Sequence, residues 1–301
     1  MKRTLPILFL FSLAVSVICA EGNLSEYHEA VSELARKASE GDAKSIYELA
    51  KLHDYGFDTI PQDSTISTAL YLESARKGYP PAMNFIGFRY FNGDGVSKDI
   101  DSALFWIRKA ADLGNITAAA NLGYLLSESS EIPHDREEAI KWLTIASEAG
   151  VRDAQIHLAT ILKDEWQNLP SDSALSLGGK YYVGNAPILG FKLIEIASKK
   201  GDPKALALLG DAYSKGRGTT YDHNKSIDYF LKAAEGGNPS AQFILAELLE
   251  IFPDAIQSQS VDSTLHAESV TMIHDPHYWY EKADSAGVVD SEVAYRLLYD
   301  F

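Results

Sequence analysis

Cysteine is almost absent from this 301-residue chain, which contains a single one, Cys19. With one cysteine the chain cannot form an internal disulfide, so its stability has to come from packing. Basic residues are also few: 27 Lys and Arg stand against 42 Asp and Glu, for a formal charge of −15. Nucleic-acid binding needs clustered positive charge, and no basic pair in the sequence extends into a patch. We therefore expect no nucleic-acid partner.

The sequence also lacks the short motifs of common enzymes and cofactor sites. It contains no HExxH, CxxC, GxSxG, P-loop or GxGxxG motif. His274, Asp275 and His277 are metal-ligand residue types in one short stretch, but Pro276 lies among them and no further ligand is close in sequence. We predict no catalytic residue, no metal site and no cofactor, and hence a protein that is not an enzyme.

Long hydrophobic runs are missing except at the start of the chain. Lys2 and Arg3 precede an uncharged apolar stretch that ends near Ala20. A membrane-spanning helix needs about 20 apolar residues, and this stretch is shorter and has the basic start and small final residue of a signal peptide. We predict a signal peptide over residues 1–20.

The signal predicts an exported product: periplasmic or secreted from a bacterium, lumenal in the endoplasmic reticulum or secreted from a eukaryote. Cys19 lies where a bacterial lipoprotein carries its lipid, which leaves a lipid anchor as an alternative. Ser16 and Ile18 do not fit the lipoprotein pattern. We expect no membrane span after removal of the signal.

Glycines recur at a fixed period along the rest of the chain. The interval is 36 or 37 residues, apart from two intervals that are about 15 residues longer. The recurring glycines are Gly41, Gly78, Gly114, Gly150, Gly201, Gly237 and Gly287. A fixed period indicates a stack of similar units with two insertions.

Three copies of the unit align clearly, over residues 82–114, 118–150 and 205–237. The residue types that they share lie, in the first copy, at Ala82, Gly87, Asp99, Trp106, Ala110 and Gly114. The apolar spacing predicts two antiparallel helices in each unit. A first helix typically starts with a capping residue followed by proline, as in Asp202-Pro203 and Asn238-Pro239. The second helices are expected to start after a capping aspartate, at Asp99, Asp135 and Asp222.

This pattern resembles the Sel1-like repeat, a relative of the tetratricopeptide repeat. The resemblance implies an all-α fold: a right-handed superhelical α-solenoid of antiparallel helix pairs over residues 21–301. The expected units are about 24–41, 45–78, 82–114, 118–150, 154–201 with an insertion, 205–237, 241–287 with a polar insertion at about 253–275, and a capping helix over 288–301. Within 154–201, Leu158-Ala159 and Leu177-Gly178 each open a first helix, and the sequence leaves open which one is inserted.

The resemblance also implies a scaffold that binds partner proteins or peptides on the concave face of its superhelix. The inward-facing positions of the first helices fall on Tyr47, Lys51, Asn84, Phe88, Tyr124 and Asp211. Aromatic side chains at such positions are suited to anchor a partner. An alternative interpretation is that Phe88 and Tyr124 only pack against the neighbouring helix.

Two other functions remain open at this point. One is a lumenal adaptor similar to the Sel1 components of protein quality control, for which the glycosylation sequons at Asn23, Asn115 and Asn224 would matter. The other is a hydrolase similar to the Sel1-type proteins that bind or cleave β-lactams. Those proteins carry a cysteine pair in each repeat, and this chain has none.

Overall fold

The computed structural model describes residues 24–56, 60–253 and 272–301, and of residues 24–27 only the backbone. The predicted signal peptide and Cys19 lie outside these residues, as does most of the polar insertion. No strand occurs in the described ranges, which are helical with short connections. The all-α prediction is confirmed for this part of the chain.

Sixteen helices with complete bounds occur in the described residues. They are α1 (Leu24–Ser39), α2 (Ala43–Tyr55), α3 (Ser64–Arg76), α4 (Pro80–Asn92), α5 (Ile100–Asp112), α6 (Ile116–Glu128), α7 (Arg136–Glu148), α8 (Arg152–Ile161), α9 (Lys163–Gln167), α10 (Ser171–Val183), α11 (Pro187–Ser198), α12 (Pro203–Lys215), α13 (His223–Glu235), α14 (Pro239–Ile251), α15 (Pro276–Ser285) and α16 (Ser291–Leu298). Most have 13 residues, and consecutive helices pack as pairs.

The helices begin where the sequence predicts caps. Asp99, Asp135 and Asp222 each accept a hydrogen bond from a backbone N–H in the first turn of the helix that follows. Asp202 and Asn238 cap α12 and α14 in the same way, with proline at the first helical position. These side chains satisfy donors that a helix start otherwise leaves without a partner.

The recurring glycines end the second helices in the left-handed conformation. All seven have φ between 81° and 94°. L side chains rarely adopt this region, so glycine is required there. The tight turns inside two repeats use the same property, at Gly93 and Gly95 (φ 73° and 70°) and at Gly216 and Gly218 (φ 63° and 76°).

The chain divides into two compact units. The first comprises residues up to Leu122 together with Ser129–Pro133, and the second comprises Gly123–Glu128 and His134–Phe301. In the first unit, α1 packs on α2, α2 pairs with α3, and α4 pairs with α5. Its core is built from buried side chains that include Ile46, Tyr71 and Ile107.

In the second unit, α7 packs on α8, and the pairs α10–α11, α12–α13 and α14–α15 follow in chain order. Helix α16 packs on α14 and α12. The core of this unit includes Tyr182, Phe230 and Trp279, which are almost fully buried.

A missing side chain allows the two helices of a pair to approach closely. A Cβ placed on Gly87 of α4 would lie 2.5 Å from Ile107 Cγ1 of α5, and one on Gly210 of α12 would lie 2.8 Å from Phe230 Cγ of α13. Contacts this short do not occur between carbon atoms, so the helices can touch only because glycine is present.

The same contact settles the order of helices in residues 154–201. Gly178 of α10 faces Ile194 of α11, where an added Cβ would lie 3.0 Å from Ile194 Cγ1. The Leu177-Gly178 helix is therefore the first helix of the pair that Gly201 closes. Helix α8 packs on α7 and α11 and is followed only by the one-turn helix α9, so α8 and α9 are the additional elements.

Candidate partner-binding surfaces

Tyr47 and Lys51 lie one turn apart on α2 in the first unit. The Tyr47 ring lies edge-on to Tyr79, with ring centroids 5.2 Å apart, and Lys51 Nζ lies 5.6 Å from the centre of the Tyr47 ring. Lys51 also forms an ion pair with Glu48 at 2.9 Å. Burial raises the pKa of Tyr47 to about 12, so its hydroxyl is neutral at physiological pH. The pair presents a half-buried ring beside a cation.

Asn84 and Phe88 lie one turn apart on α4, also in the first unit. The Asn84 side-chain oxygen accepts a hydrogen bond from Asn121 Nδ2 at 3.2 Å, which links α4 to α6. Both side chains are partly exposed. Asn84 therefore contributes to the packing of successive first helices, while part of Phe88 stays open to solvent.

Tyr124 lies on α6 in the second unit and is 56% exposed. Its ring centroid is 5.2 Å from that of His157 on α8, and His157 Nε2 lies 2.7 Å from Ser127 Oγ. Tyr124 and His157 form an aromatic pair on the surface.

Asp211 is placed differently from the other five positions, because it is fully buried. Its Oδ2 accepts hydrogen bonds from Tyr182 Oη at 2.8 Å and from Tyr299 Oη at 2.6 Å, and its Oδ1 lies 2.7 Å from Lys215 Nζ. The expectation of an open partner contact at Asp211 has to be corrected. Its carboxylate is engaged by the protein's own side chains.

Residues 299–301 lie against α10 and α12 around this carboxylate. Lys215 Nζ donates to Tyr299 Oη at 2.8 Å, and Lys204 Nζ donates to the Asp300 carbonyl. The Phe301 ring packs on Gly179, where any side chain would overlap it, and lies under Lys204 Nζ. We call Gly179, Tyr182, Lys204, Asp211 and Lys215 the tail seat.

The tail seat keeps its tyrosines neutral. Burial, and after it the Asp211 carboxylate, raises the pKa of both Tyr182 and Tyr299 far above the ordinary value of 10. A neutral phenol donates a hydrogen bond to the carboxylate and keeps its proton, whereas a phenolate would be repelled by it. The hydrogen bonds of the seat therefore persist throughout the physiological pH range.

A groove lies elsewhere in the second unit, between α8, α9 and α11. Its volume is about 530 Å³. Ile156, Trp166 and Ile188 line the apolar part. The lysines that line it are Lys163, Lys192, Lys199 and Lys200. We call it the lysine groove.

The described residues are predicted from the sequence to hold no metal ion at the His274–His277 stretch. They contain no group of three or more His, Cys, Asp or Glu side chains placed to hold a metal ion. Asp275 caps α15 by accepting from the His277 N–H at 3.0 Å, and Pro276 is the first residue of that helix. The described helices are all too short or too polar to cross a membrane.

Comparison with known proteins gives the family of the repeats. The Sel1 repeat profile matches residues 43–79, 80–115, 116–151 and 203–238. The chain carries four Sel1 repeats. Each matched segment starts at or next to a first helix and includes the glycine that ends the second.

Two relatives are similar over much of the chain. An uncharacterized protein of Neisseria meningitidis serogroup B is 30% identical over 71% of this chain and 41% of its own length. Protein sel-1 homolog 2 of Homo sapiens is 26% identical over 74% of this chain and 32% of its own length. The chain thus spans less than half of these relatives.

Among solved structures, a Sel1 repeat protein from Oxalobacter formigenes is similar over 88% of this chain and 96% of its own length. The sequence identity is 24% and the TM-score is 0.44.

The sequence analysis did not identify the residues that contact Asp211 and Tyr124. Tyr182, Lys215 and Tyr299 contact Asp211, and His157 contacts Tyr124. Tyr299 is 88 residues from Asp211, so periodicity within a repeat carries no information about their contact. Lys215 is the exception, because a lysine four residues after an aspartate on one helix can be paired from sequence alone.

Proposed function

We propose that the protein is an exported, non-enzymatic scaffold that binds partner proteins or peptides on the first helices of its Sel1 repeats. The tail seat is the observation that carries the proposal. There, α12 of the fourth Sel1 repeat, together with α10, which lies outside the four matched repeats, holds a three-residue segment through lysine side chains, a buried carboxylate and a ring packed on glycine. These are the contacts that a bound peptide segment uses.

The exposed first-helix aromatics supply the anchors for a partner. Phe88 and Tyr124 occupy equivalent positions in successive repeats, 36 residues apart, and both retain exposed ring surface. Aromatic residues at a protein surface account for a large share of binding energy where they enter a pocket of the partner. We propose Tyr47, Lys51, Asn84, Phe88 and Tyr124 as the contact positions.

The test is recovery of partners by the mature chain and by a Phe88→Ala/Tyr124→Ala variant. We expect the double variant to lose partners that the unmodified protein retains after stringent washing. The matched control is Phe105→Ala/Tyr221→Ala, which removes two aromatic side chains that are 56% and 66% exposed and lie outside the first helices. Equal recovery by both variants, with unchanged circular dichroism, would contradict the proposed surface.

Export is tested separately by the mass of the mature protein recovered from outside the cytosol, which we expect to begin at Glu21. The lumenal alternative predicts glycan on Asn23, Asn115 or Asn224, removable by an endoglycosidase. Asn115 caps α6 by accepting from the Ala118 N–H at 2.8 Å, and Ser226 of the Asn224 sequon is buried.

A further inference from the structure

We propose that the lysine groove binds an acidic, amphipathic peptide segment of a partner protein. The groove lies on α8, α9 and α11, and none of the first-helix positions discussed above lines it. It is therefore a second binding surface, and its occupant is set by its own shape and charge.

The shape of the groove fits inserted apolar side chains. Trp166 and Ile188 are recessed, with 7% and 8% of their surface exposed, whereas Ile156 at the edge is 46% exposed. A volume of about 530 Å³ is within the range of sites that bury most of a bound group. Grooves of this kind accept the apolar face of a helical peptide.

The charge of the groove differs in sign from that of the whole protein, which is −15. Four of the residues that line it are lysines and one, Glu195, is acidic. Glu195 is offset by Lys192, whose Nζ lies 3.3 Å from its carboxylate. Lys200 donates to the Leu169 carbonyl and remains exposed. The groove thus carries a net positive charge.

Lys163 and Lys199 are the lysines available to a ligand. Both are exposed, and neither has an ion-pair partner among the described residues. The neighbouring carboxylate of Glu165 pairs instead with Arg136. Carboxylates on the polar face of a peptide would meet these two ammonium groups while its apolar face contacts Ile156 and Trp166. Such complementarity sets which partner binds and how fast it associates.

An anionic membrane surface shares the charge but not the shape. The least exposed apolar residues of the lining, Trp166 and Ile188, are reached only by a group that enters the groove, which suits peptide side chains better than a flat bilayer. The experiment therefore includes vesicles as a separate arm.

The test uses three labelled synthetic peptides of equal length, titrated into the full-length mature protein and followed by fluorescence anisotropy. The first has leucines at helical spacing and glutamates on its polar face. The second replaces the glutamates with lysines, and the third replaces the leucines with alanines. We expect the first peptide to bind at least about tenfold more tightly than either of the others.

Variants then place the binding in the groove. We expect the affinity for the acidic peptide to fall by about tenfold in each of two variants, Lys163→Glu/Lys199→Glu and Ile156→Ser. Added salt should lower this affinity further. The matched controls are Lys44→Glu/Lys282→Glu, with the same charge change at exposed lysines, and Ile66→Ser, at an isoleucine that is 43% exposed on α3. We expect both controls to bind like the unmodified protein.

Equal binding of the three peptides, or equal affinity of the groove and control variants, would overturn the proposal. So would groove-dependent binding to phosphatidylserine vesicles with no binding of the acidic peptide. The Phe88→Ala/Tyr124→Ala variant should bind the acidic peptide normally, so failure of this site and failure of the first-helix surface give different results.

Discussion

Arg89 is buried in the first unit, where 4% of its side chain is exposed, and its charge is balanced by a residue from a preceding helix. Its Nη2 contacts Asp54 of α2, and its Nη1 donates to Thr68 Oγ1 of α3 at 2.6 Å. The guanidinium also lies 5.5 Å from the centre of the Tyr71 ring. A buried arginine ties the first helix of one repeat to both helices of the repeat before it.

Removal of the partner of Arg89 should be costly. We expect Asp54→Ala to lower the free energy of unfolding by about 3–5 kcal/mol, because it leaves a buried guanidinium uncompensated. Urea denaturation measures the change. Asp94 is 63% exposed, and its Oδ1 lies 4.0 Å from Nη1 of the same guanidinium. Asp94→Ala is therefore the matched control and should lower the free energy of unfolding by at most about 1 kcal/mol. Similar losses for the two variants would refute the assignment.

At the residue scale, local roles were predictable and long-range partners were not. Asp99, Asp135 and Asp222 are caps because a short polar side chain before an apolar helix satisfies free N–H groups a few residues away. Arg89 and Asp54 are 35 residues apart, and Asp211 and Tyr299 are 88 apart. Only packing brings these residues together, so no local pattern marks them.

In four helix pairs the first helix carries a glycine after leucine or isoleucine, and this glycine faces the second helix: Gly87, Gly123, Gly178 and Gly210. In the pair α6–α7, a Cβ on Gly123 would lie 2.6 Å from Leu143 Cγ. Replacing a glycine inside an exposed helix with alanine usually raises the stability of the protein by about 1 kcal/mol. At Gly123 the same substitution should lower stability instead, because the added methyl group would overlap Leu143.

We expect Gly123→Ala to destabilise the protein by roughly 1–3 kcal/mol, as overpacked cores are. Leu143→Ala should cost about 2–5 kcal/mol through the cavity it leaves. In the double variant the new methyl group enters that cavity, so the combined loss should be smaller than the two single losses added together. Thermal denaturation of the four proteins gives the comparison, and additive losses would show that the two residues do not meet.

The cap of α5 gives a pH-dependent contribution to stability. Hydrogen bonds from Ser102, first from its side chain and then from its backbone N–H, lower the pKa of Asp99 below its ordinary value of 3.8. The carboxylate form is thus favoured in the folded state. Its contribution is present above pH 3.8 and is lost as the pH falls through the lowered pKa.

Asp99→Asn keeps a capping side chain but removes the titration. We expect the variant to be less stable than the unmodified protein at neutral pH, because the charge favours the helix start, and the difference to shrink as the pH falls below about 4. Asp101→Asn makes the same charge change in the first turn of α5 and serves as the control. Chemical denaturation across this pH range measures the stability of both variants. A difference between Asp99→Asn and the unmodified protein that does not change with pH would contradict the prediction.

At the scale of the whole molecule, the chain is built so that each helix pair contacts mainly its neighbours in sequence. In such arrays a local defect spreads to adjacent repeats and not to distant ones. Leu298 of α16 is 1% exposed in the core of the second unit. It tests this property because it lies in the second unit, whereas α2 belongs to the first.

Leu298→Ala should remove about 2–5 kcal/mol of local stability. We expect faster amide hydrogen exchange in α12, α14 and α16, and unchanged exchange in α2–α5. Mass spectrometry of exchanged peptides resolves these helices. Uniform acceleration along the whole chain would show that it unfolds as a single cooperative body instead.

The sequence by itself determined the helix pairs, their caps and their closing glycines, because each depends on residues within one turn or one repeat. It also placed Phe88 and Tyr124 at equivalent positions of two repeats. Only the tertiary structure decided that α10 pairs with α11, that Asp211 holds Tyr299, and that lysines of α9 and α11 surround one groove. Those features depend on which surfaces meet after folding, and packing between distant segments leaves no period in the sequence.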